Sequence, residues 1–425
     1  MEYSKKGVYI SLRHDYRKRH HSLRKIRLGF FLFLLSFLTL DPAALAEGPS
    51  AADTTRLQNL LEKVYQTMDE NYYMPVSKTV YDGFLQEFTA ERLWKLNRKT
   101  HKVDDFVQLG AGLLVNKLKD PKDRFTSLVP SEKTKAFKSN AYAVTEDLGI
   151  EGKKTADGFV ISRVEKHCEA FGKNVRAGDI LQSIDGQSVA SIAEDDIRKK
   201  LAPAVGTKVR LQIFFQAAKQ ASEITLESQS YFKETVSTVP SGKPGVLVIK
   251  ISHFNQKSSE DFADEVGAFG ADKIDHLILD LRDNGGGPPL AAREILGFFL
   301  PPNDPLFAIA RRKHRPVLLT APPQTVAYHG PVTVLVNAKT GSAAELFSGL
   351  IQAKKIGTLV GQQTAGATYL KSLFDLGDGS TIFMITSLTF FYDRRVYPPD
   401  GLTPDTVLPD TEDTLRFALD HLGQK

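Results

Sequence analysis

Two segments of this 425-residue sequence hold residue types and spacings suited to acyl-transfer chemistry. One is Arg282-Asp283-Asn284-Gly285-Gly286-Gly287-Pro288, where three glycines let backbone N–H groups approach a ligand with no Cβ in the way. The other is Asn337-Ala338-Lys339-Thr340-Gly341-Ser342-Ala343-Ala344-Glu345, leading into a helical pattern. Ser342 and Glu345 have the spacing of a capping box, in which the hydroxyl takes one orphan helix N–H and the carboxylate another. A helix start also offers free N–H donors and a positive dipole end, the environment that stabilises an oxyanion. Capping and nucleophilic catalysis are therefore both open at Ser342. The glycine loop lacks the Lys-Ser/Thr of a phosphate-binding loop, and no dinucleotide fingerprint follows a strand, so neither a nucleotide cofactor nor a metal is expected.

The elements that must position these segments are legible in the hydrophobic pattern. From Val246 onward strands and helices alternate: VLVIKISHF, HLILDLRDN, PVTVLVN and GTLVG as strands, SSEDFADEVGAFG, PLAAREILGFFL and SAAELFSGLIQAKK as helices. Apolar runs such as LILDL and VTVLV predict a mostly parallel sheet covered by helices, whose ligands meet the carboxyl ends of the strands. Both chemical segments lie at such ends. Upstream, residues 51–135 carry apolar positions at helical spacing (Leu57, Leu60, Leu61, Val64; Phe106, Leu109, Leu113, Leu114) and predict a small helical domain closing on a turn-rich hinge, DPKDRFTSLVPSEK.

Residues 143–230 change to short strands between glycine turns, with one helix around Glu194 to Leu201, the pattern of a small partly open β-barrel. This stretch resembles a PDZ domain. The resemblance makes Leu148-Gly149-Ile150 the loop whose amides hold a peptide's terminal carboxylate, and Ile197 and Leu201 the pocket for its last side chain.

The segments DPKDRF, LILDLRDNGGG, VLVNAKTGSAAE, GTLVGQQTAGA and GLTPDTVLP, with the PDZ-like module between the first two, follow the order and spacing of the carboxyl-terminal processing, or tail-specific, proteases. The resemblance covers nearly the whole chain after residue 46. It implies a serine endopeptidase that binds protein tails through its PDZ domain and cleaves them in a crotonase-like α/β core (residues 236–425). By motif position Ser342 is the nucleophile, and the amides of Ala343 and of Gly286, or its neighbour Gly285, form the oxyanion hole. The family's lysine base falls on Ala367, in Thr364-Ala365-Gly366-Ala367, and alanine accepts no proton.

Three accounts follow. Lys371 lies where the family places a glutamine, four residues beyond its lysine, and in an extended segment positions i and i+4 share a face. His253 ends its strand on the face of Leu247, Ile249 and Ile251, and histidine is the base in more distant relatives. In the third account the chain cuts nothing and is a PDZ adaptor for protein tails. A binder of apolar small ligands on the same core is a further alternative.

Composition bounds the rest. Nine of the 55 Lys and Arg lie in residues 1–28, and without residues 1–46 the balance is 46 basic to 47 acidic side chains, which leaves no case for nucleic acid as a partner. The basic arm runs into the apolar stretch GFFLFLLSFLTL and then Ala44-Leu45-Ala46, the layout of a signal peptide, or of an uncleaved anchor that would tether the protein facing the periplasm. Export follows on either reading. Cys168 is the only cysteine, so no internal disulfide forms, and its setting beside His167 reads as an inert buried thiol. The sequence names neither a substrate nor an activating partner.

Overall fold

A computed structural model describes residues 48–97, 102–323, 328–393 and 395–422. The signal or anchor of residues 1–46 lies outside them. The first helix, Ala51–Asn71, starts from a capping box between Ser50 and Asp53, and helix Lys78–Glu87 from a cap by Ser77. The apolar stripe of the first helix (Leu57, Leu60, Leu61, Val64) packs on Phe106, Val107 and Leu114 of helix Val103–Leu118. This core continues into Ile382, Met384 and Ile385 of a β-sheet, so the helical region is seated on the strands that follow the site.

The DPKDRF segment is fastened down rather than hinged. Asp123 Oδ1 accepts from the amides of Phe125 (2.8 Å) and Thr126 (2.9 Å), and its Oδ2 accepts from the buried Tyr72 hydroxyl (2.7 Å). Thr126 Oγ1 takes the Ile385 amide (3.1 Å), and strand Ser127–Val129 then pairs antiparallel with Thr381–Phe383. Helix Ser131–Tyr142 leads to Ala143, whose left-handed conformation (φ 50°) turns the chain into strand Val144–Asp147, paired with the outgoing strand Gln229–Phe232. Between them lie strands Ile150–Thr155, Gly158–Val164, Ile180–Ile184, Lys208–Phe215 and Gln220–Glu227, antiparallel in that order, with helix Glu194–Leu201.

The second half builds two sheets. In the first, Val246–Ile251, His276–Asp280, Val332–Val336, Gly357–Gly361 and Thr406–Val407 run parallel in that order, with Val236–Val239 antiparallel on the outer edge. Helices Ser258–Phe269, Pro289–Leu296 and Ala343–Ala353 bury the face of Leu247, Ile249, Ile251, Leu279 and Val334; helix Thr414–Asp420 covers that of Val248, Ile278 and Leu335. Burial on both faces is why these strands read as unbroken apolar runs. The second sheet orders Ser127–Val129, Thr381–Phe391, Pro305–Arg311 and Val317–Thr320, with Leu370–Asp375 also on Thr381–Phe391. The alternation of strands and helices gave no sign of it, since its strands are antiparallel and, apart from the mostly buried Thr381–Phe391, only partly buried.

Candidate active site

Strands His276–Asp280 and Val332–Val336 are neighbours, so their following loops meet at one sheet edge. Thr340 Oγ1 donates to Leu281 O (2.8 Å) and the Gly341 amide to Asn284 O (2.9 Å), locking the serine turn to the glycine loop. Ser342 then heads helix Ala343–Ala353 at φ 55° and ψ −121°, a region L-residues rarely occupy. Such a conformation costs about 1–3 kcal/mol and persists only where the surroundings over-determine it. Gly286 is part of that constraint: a Cβ there would stand 2.6 Å from Ser342 Cβ and 2.9 Å from the Ala343 nitrogen.

The half-buried Ser342 hydroxyl makes no cap hydrogen bond, although it heads a capping box with Glu345. The Ala343 amide donates to no acceptor among the described residues, as the oxyanion role requires. Gly286 is different. Its amide donates to Asn284 Oδ1 (2.8 Å), Asn284 Nδ2 donates to Ile251 O (2.8 Å), and Gly286 O accepts from the Phe254 amide (2.8 Å). The amide that the motif makes an oxyanion donor is thus engaged within its own loop, whereas the Gly285 and Gly287 amides have no acceptor among the described residues.

Glu345 does more than cap. Fully buried, it accepts from the Ser342 amide (2.9 Å), Thr364 Oγ1 (2.6 Å), the Gly366 amide (2.7 Å) and the Ala367 amide (2.7 Å). One carboxylate thereby ties the serine turn to the loop where the family's lysine would stand, and the Ala365 amide adds a bond to Thr340 O (2.9 Å). The capping spacing pointed to Glu345, but only its first bond.

Lys371 lies on strand Leu370–Asp375 with Nζ folded back toward the Ala367 carbonyl, 3.5 Å away, and 4.4 Å from the centre of the Phe125 ring. Burial pushes its ammonium down to about 8; the Glu345 and Asp123 carboxylates oppose this and the Arg124 charge adds to it. His253 flanks the other loop. Its Nε2 donates to Ala141 O (3.1 Å), which leaves Nδ1 as the acceptor, and a Cβ on Gly287 would come within 3.0 Å of Nε2. Burial lowers its pKa, against the Ala141 bond. Neither side chain is hydrogen-bonded to Ser342 Oγ in this structure. No group of three or more His, Cys, Asp or Glu among the described residues could hold a metal ion.

In the PDZ-like region Leu148, Ile150, Ile197 and Leu201 are buried in the domain's own core. The Leu148 amide donates to Leu201 O (3.0 Å) and the Lys154 amide to Glu194 Oε2 (3.1 Å), one bond at each end of the seam with helix Glu194–Leu201, while the Gly149 amide is held locally by Asp147 Oδ1 (2.6 Å). Cys168 packs beside Gly149, buried, with burial raising its thiol pKa. Lys166 Nζ (2.8 Å) and His167 Nε2 (3.0 Å) both reach the buried Asp261, joining this region to helix Ser258–Phe269 of the core.

Residues 245–408 match the family model described as peptidase family S41, and residues 140–214 that of the PDZ domain. The chain is similar to carboxyl-terminal-processing peptidase 2, chloroplastic, of Arabidopsis thaliana: 25% identity over 374 residues, 85% of this chain and 71% of the relative. It is also 25% identical over 347 residues to a probable CtpA-like serine protease of Staphylococcus saprophyticus, covering 81% of this chain and 64% of that protein. Among solved structures, the photosystem II D1 C-terminal processing protease aligns at a TM-score of 0.47 with 20% identity, over 84% of this chain and 93% of that one. Residues 140–214 thus match the PDZ domain and residues 245–408 peptidase family S41, in one chain similar to proteins named carboxyl-terminal-processing peptidase and CtpA-like serine protease.

Proposed function

We propose that the chain is a serine endopeptidase of the carboxyl-terminal processing type, with Ser342 as nucleophile and Lys371 as its base. The observation that carries this is a half-buried lysine whose amine turns back onto the Ala367 backbone, beside the loop that Glu345 ties to Ser342. An amine brought down to about 8 is neutral often enough near pH 7 to take a hydroxyl proton, whereas an exposed lysine is not. His253 is the weaker base, since burial lowers its pKa below the ordinary imidazole value, although the Nε2–H held by Ala141 O leaves Nδ1 as an acceptor. The four parallel pairings of the first sheet support reading it as a crotonase-like core.

In this reading Ser342 attacks a substrate carbonyl, its proton passes to Lys371, and the oxyanion settles against the Ala343 amide and a glycine-loop amide. Lys371 returns the proton to the leaving amine, and water then hydrolyses the ester. The PDZ domain binds peptide or protein C-termini, and in this reading delivers them. Its groove must first exchange the internal bonds of Leu148, Gly149 and Lys154 for those of a tail. Export to the periplasm rests on the basic arm and apolar run of residues 1–46.

The proteolytically silent adaptor is favoured by two observations, Ala367 at the lysine position and the Gly286 amide engaged by Asn284. Cleavage of an unfolded protein with an apolar C-terminus, abolished by Ser342→Ala, decides between the readings. Activity that survives Ser342→Ala refutes the site, and tail binding without cleavage by the unaltered chain leaves the adaptor.

A further inference from the structure

The loop of residues 120–126 comes from the helical region, almost 250 positions before Lys371, yet it meets the segment that carries Lys371 at two points. Phe125 presents its ring to Lys371 Nζ at 4.4 Å, and Arg124 Nη2 donates to Ala365 O (3.0 Å). The loop cannot easily shift, because Asp123 holds the Phe125 and Thr126 amides and is itself held by Tyr72, while Tyr72 OH accepts from the Asp120 amide (3.0 Å). Phe125 also tilts against Tyr369, two residues before Lys371, at 6.1 Å between ring centres.

We infer that Phe125 and Arg124 are positioning residues of the active site: the ring lids the Lys371 amine against water, and the guanidinium holds the Ala365–Ala367 turn over which the amine lies. This rests on Lys371 being the base. A lysine that replaces a base four residues away needs both a fixed direction and a dry environment, and this loop supplies each from outside the peptidase domain. The ionisable groups around the amine are Glu345 of the serine helix and Asp123 and Arg124 of the loop. The carboxylates favour the ammonium, as does the face of the Phe125 ring, so exclusion of water by the ring must outweigh all three for the amine to act as a base.

The test reads Lys371 itself. The full chain is pulse-acetylated with acetic anhydride across pH 6–11, and the extent at Lys371 is measured by mass spectrometry, beside a pH profile of kcat/KM for peptide cleavage. In Phe125→Ala, water enters, and the labelling midpoint should rise by a pH unit or more, with the acid limb of kcat/KM following it. Phe125→Leu keeps an apolar lid and should hold the midpoint within about half a unit. Arg124 is exposed, so Arg124→Gln folds; it should lower kcat with KM unchanged. An unmoved midpoint in Phe125→Ala overturns the lid, whatever happens to its melting temperature. The two readings separate: a wild-type chain that cuts nothing but shows the midpoint shift removes the peptidase and keeps the lid, and an active chain without the shift does the reverse.

Discussion

The Ala367 amide donates to Glu345 Oε2 at 2.7 Å, so the residue that replaces the family's lysine is still held by the carboxylate that holds the Ser342 amide. The loop is attached through its backbone, with no side-chain base at 367. Glu345→Gln tests that attachment. An amide nitrogen in place of one oxygen faces N–H or O–H donors and leaves at least one buried donor unpaired, at a cost of about 1–3 kcal/mol. Urea denaturation should show a loss of that size, and kcat should fall at least tenfold with little change in KM.

With Lys371 as the proposed base, its titration sets the pH dependence. With its folded pKa brought down to about 8, cleavage should rise with pH through that value and then level off. Stability has its own sign. A lysine more easily deprotonated in the folded chain than in the unfolded one, where its pKa is about 10.4, penalises folding fully below pH 8, and the penalty fades as pH rises from 8 toward 10.4. Lys371→Met removes the penalty and should raise stability at pH 7 by up to about 3 kcal/mol while abolishing cleavage. Lys371→Arg, which never deprotonates, should be inactive at every pH, and any activity in it would exclude this base.

His253→Gln keeps an N–H donor for Ala141 O and removes a titrating ring. Cleavage should stay within about fivefold of the unaltered chain; a loss of two orders of magnitude or more would make His253 the base. Since burial lowers the His253 pKa, the native chain loses stability as pH falls below about 6.5, and the variant should lose less over pH 5–6.5 in thermal melts.

Ser342 holds a backbone conformation better suited to glycine. Ser342→Gly should therefore raise the melting temperature, by the equivalent of about 0.5–1 kcal/mol, while ending cleavage. Gly286→Ala is the counterpart. Its new Cβ would press on Ser342 Cβ at 2.6 Å with φ at +109°, and it should cost both activity and about 2–4 kcal/mol of stability.

The core strands, their order along the chain and the helix behind Ser342 were all legible, because a parallel sheet buried on both faces writes itself as apolar runs. The antiparallel sheet was not. Strand Leu370–Asp375 alternates weakly, with most of its residues half-buried, and it is this strand that aims Lys371. Glu345 was visible as a capping residue, but its bonds to Thr364, Gly366 and Ala367 depend on two segments some 20 residues apart meeting in space. For Phe125 and Arg124 the motif order marked the segment and nothing local marked its contact with Lys371. The engagement of Gly286 by Asn284 is an Asx turn two residues long, which the segment Asn284-Gly285-Gly286 permits but does not compel.

The Lys371 side chain, bent back over the Ala367 carbonyl, would under the proposed function separate a chemical duty from its usual address in the sequence. A long flexible side chain can stand four positions downstream and still deliver its nitrogen to the same neighbourhood, by folding back along the irregular stretch that joins Ala367 to the strand beginning at Leu370. Inventories of protease families that discard members lacking the expected lysine would count this chain as extinct. The better census asks which amine can reach the serine, and from how far along the strand.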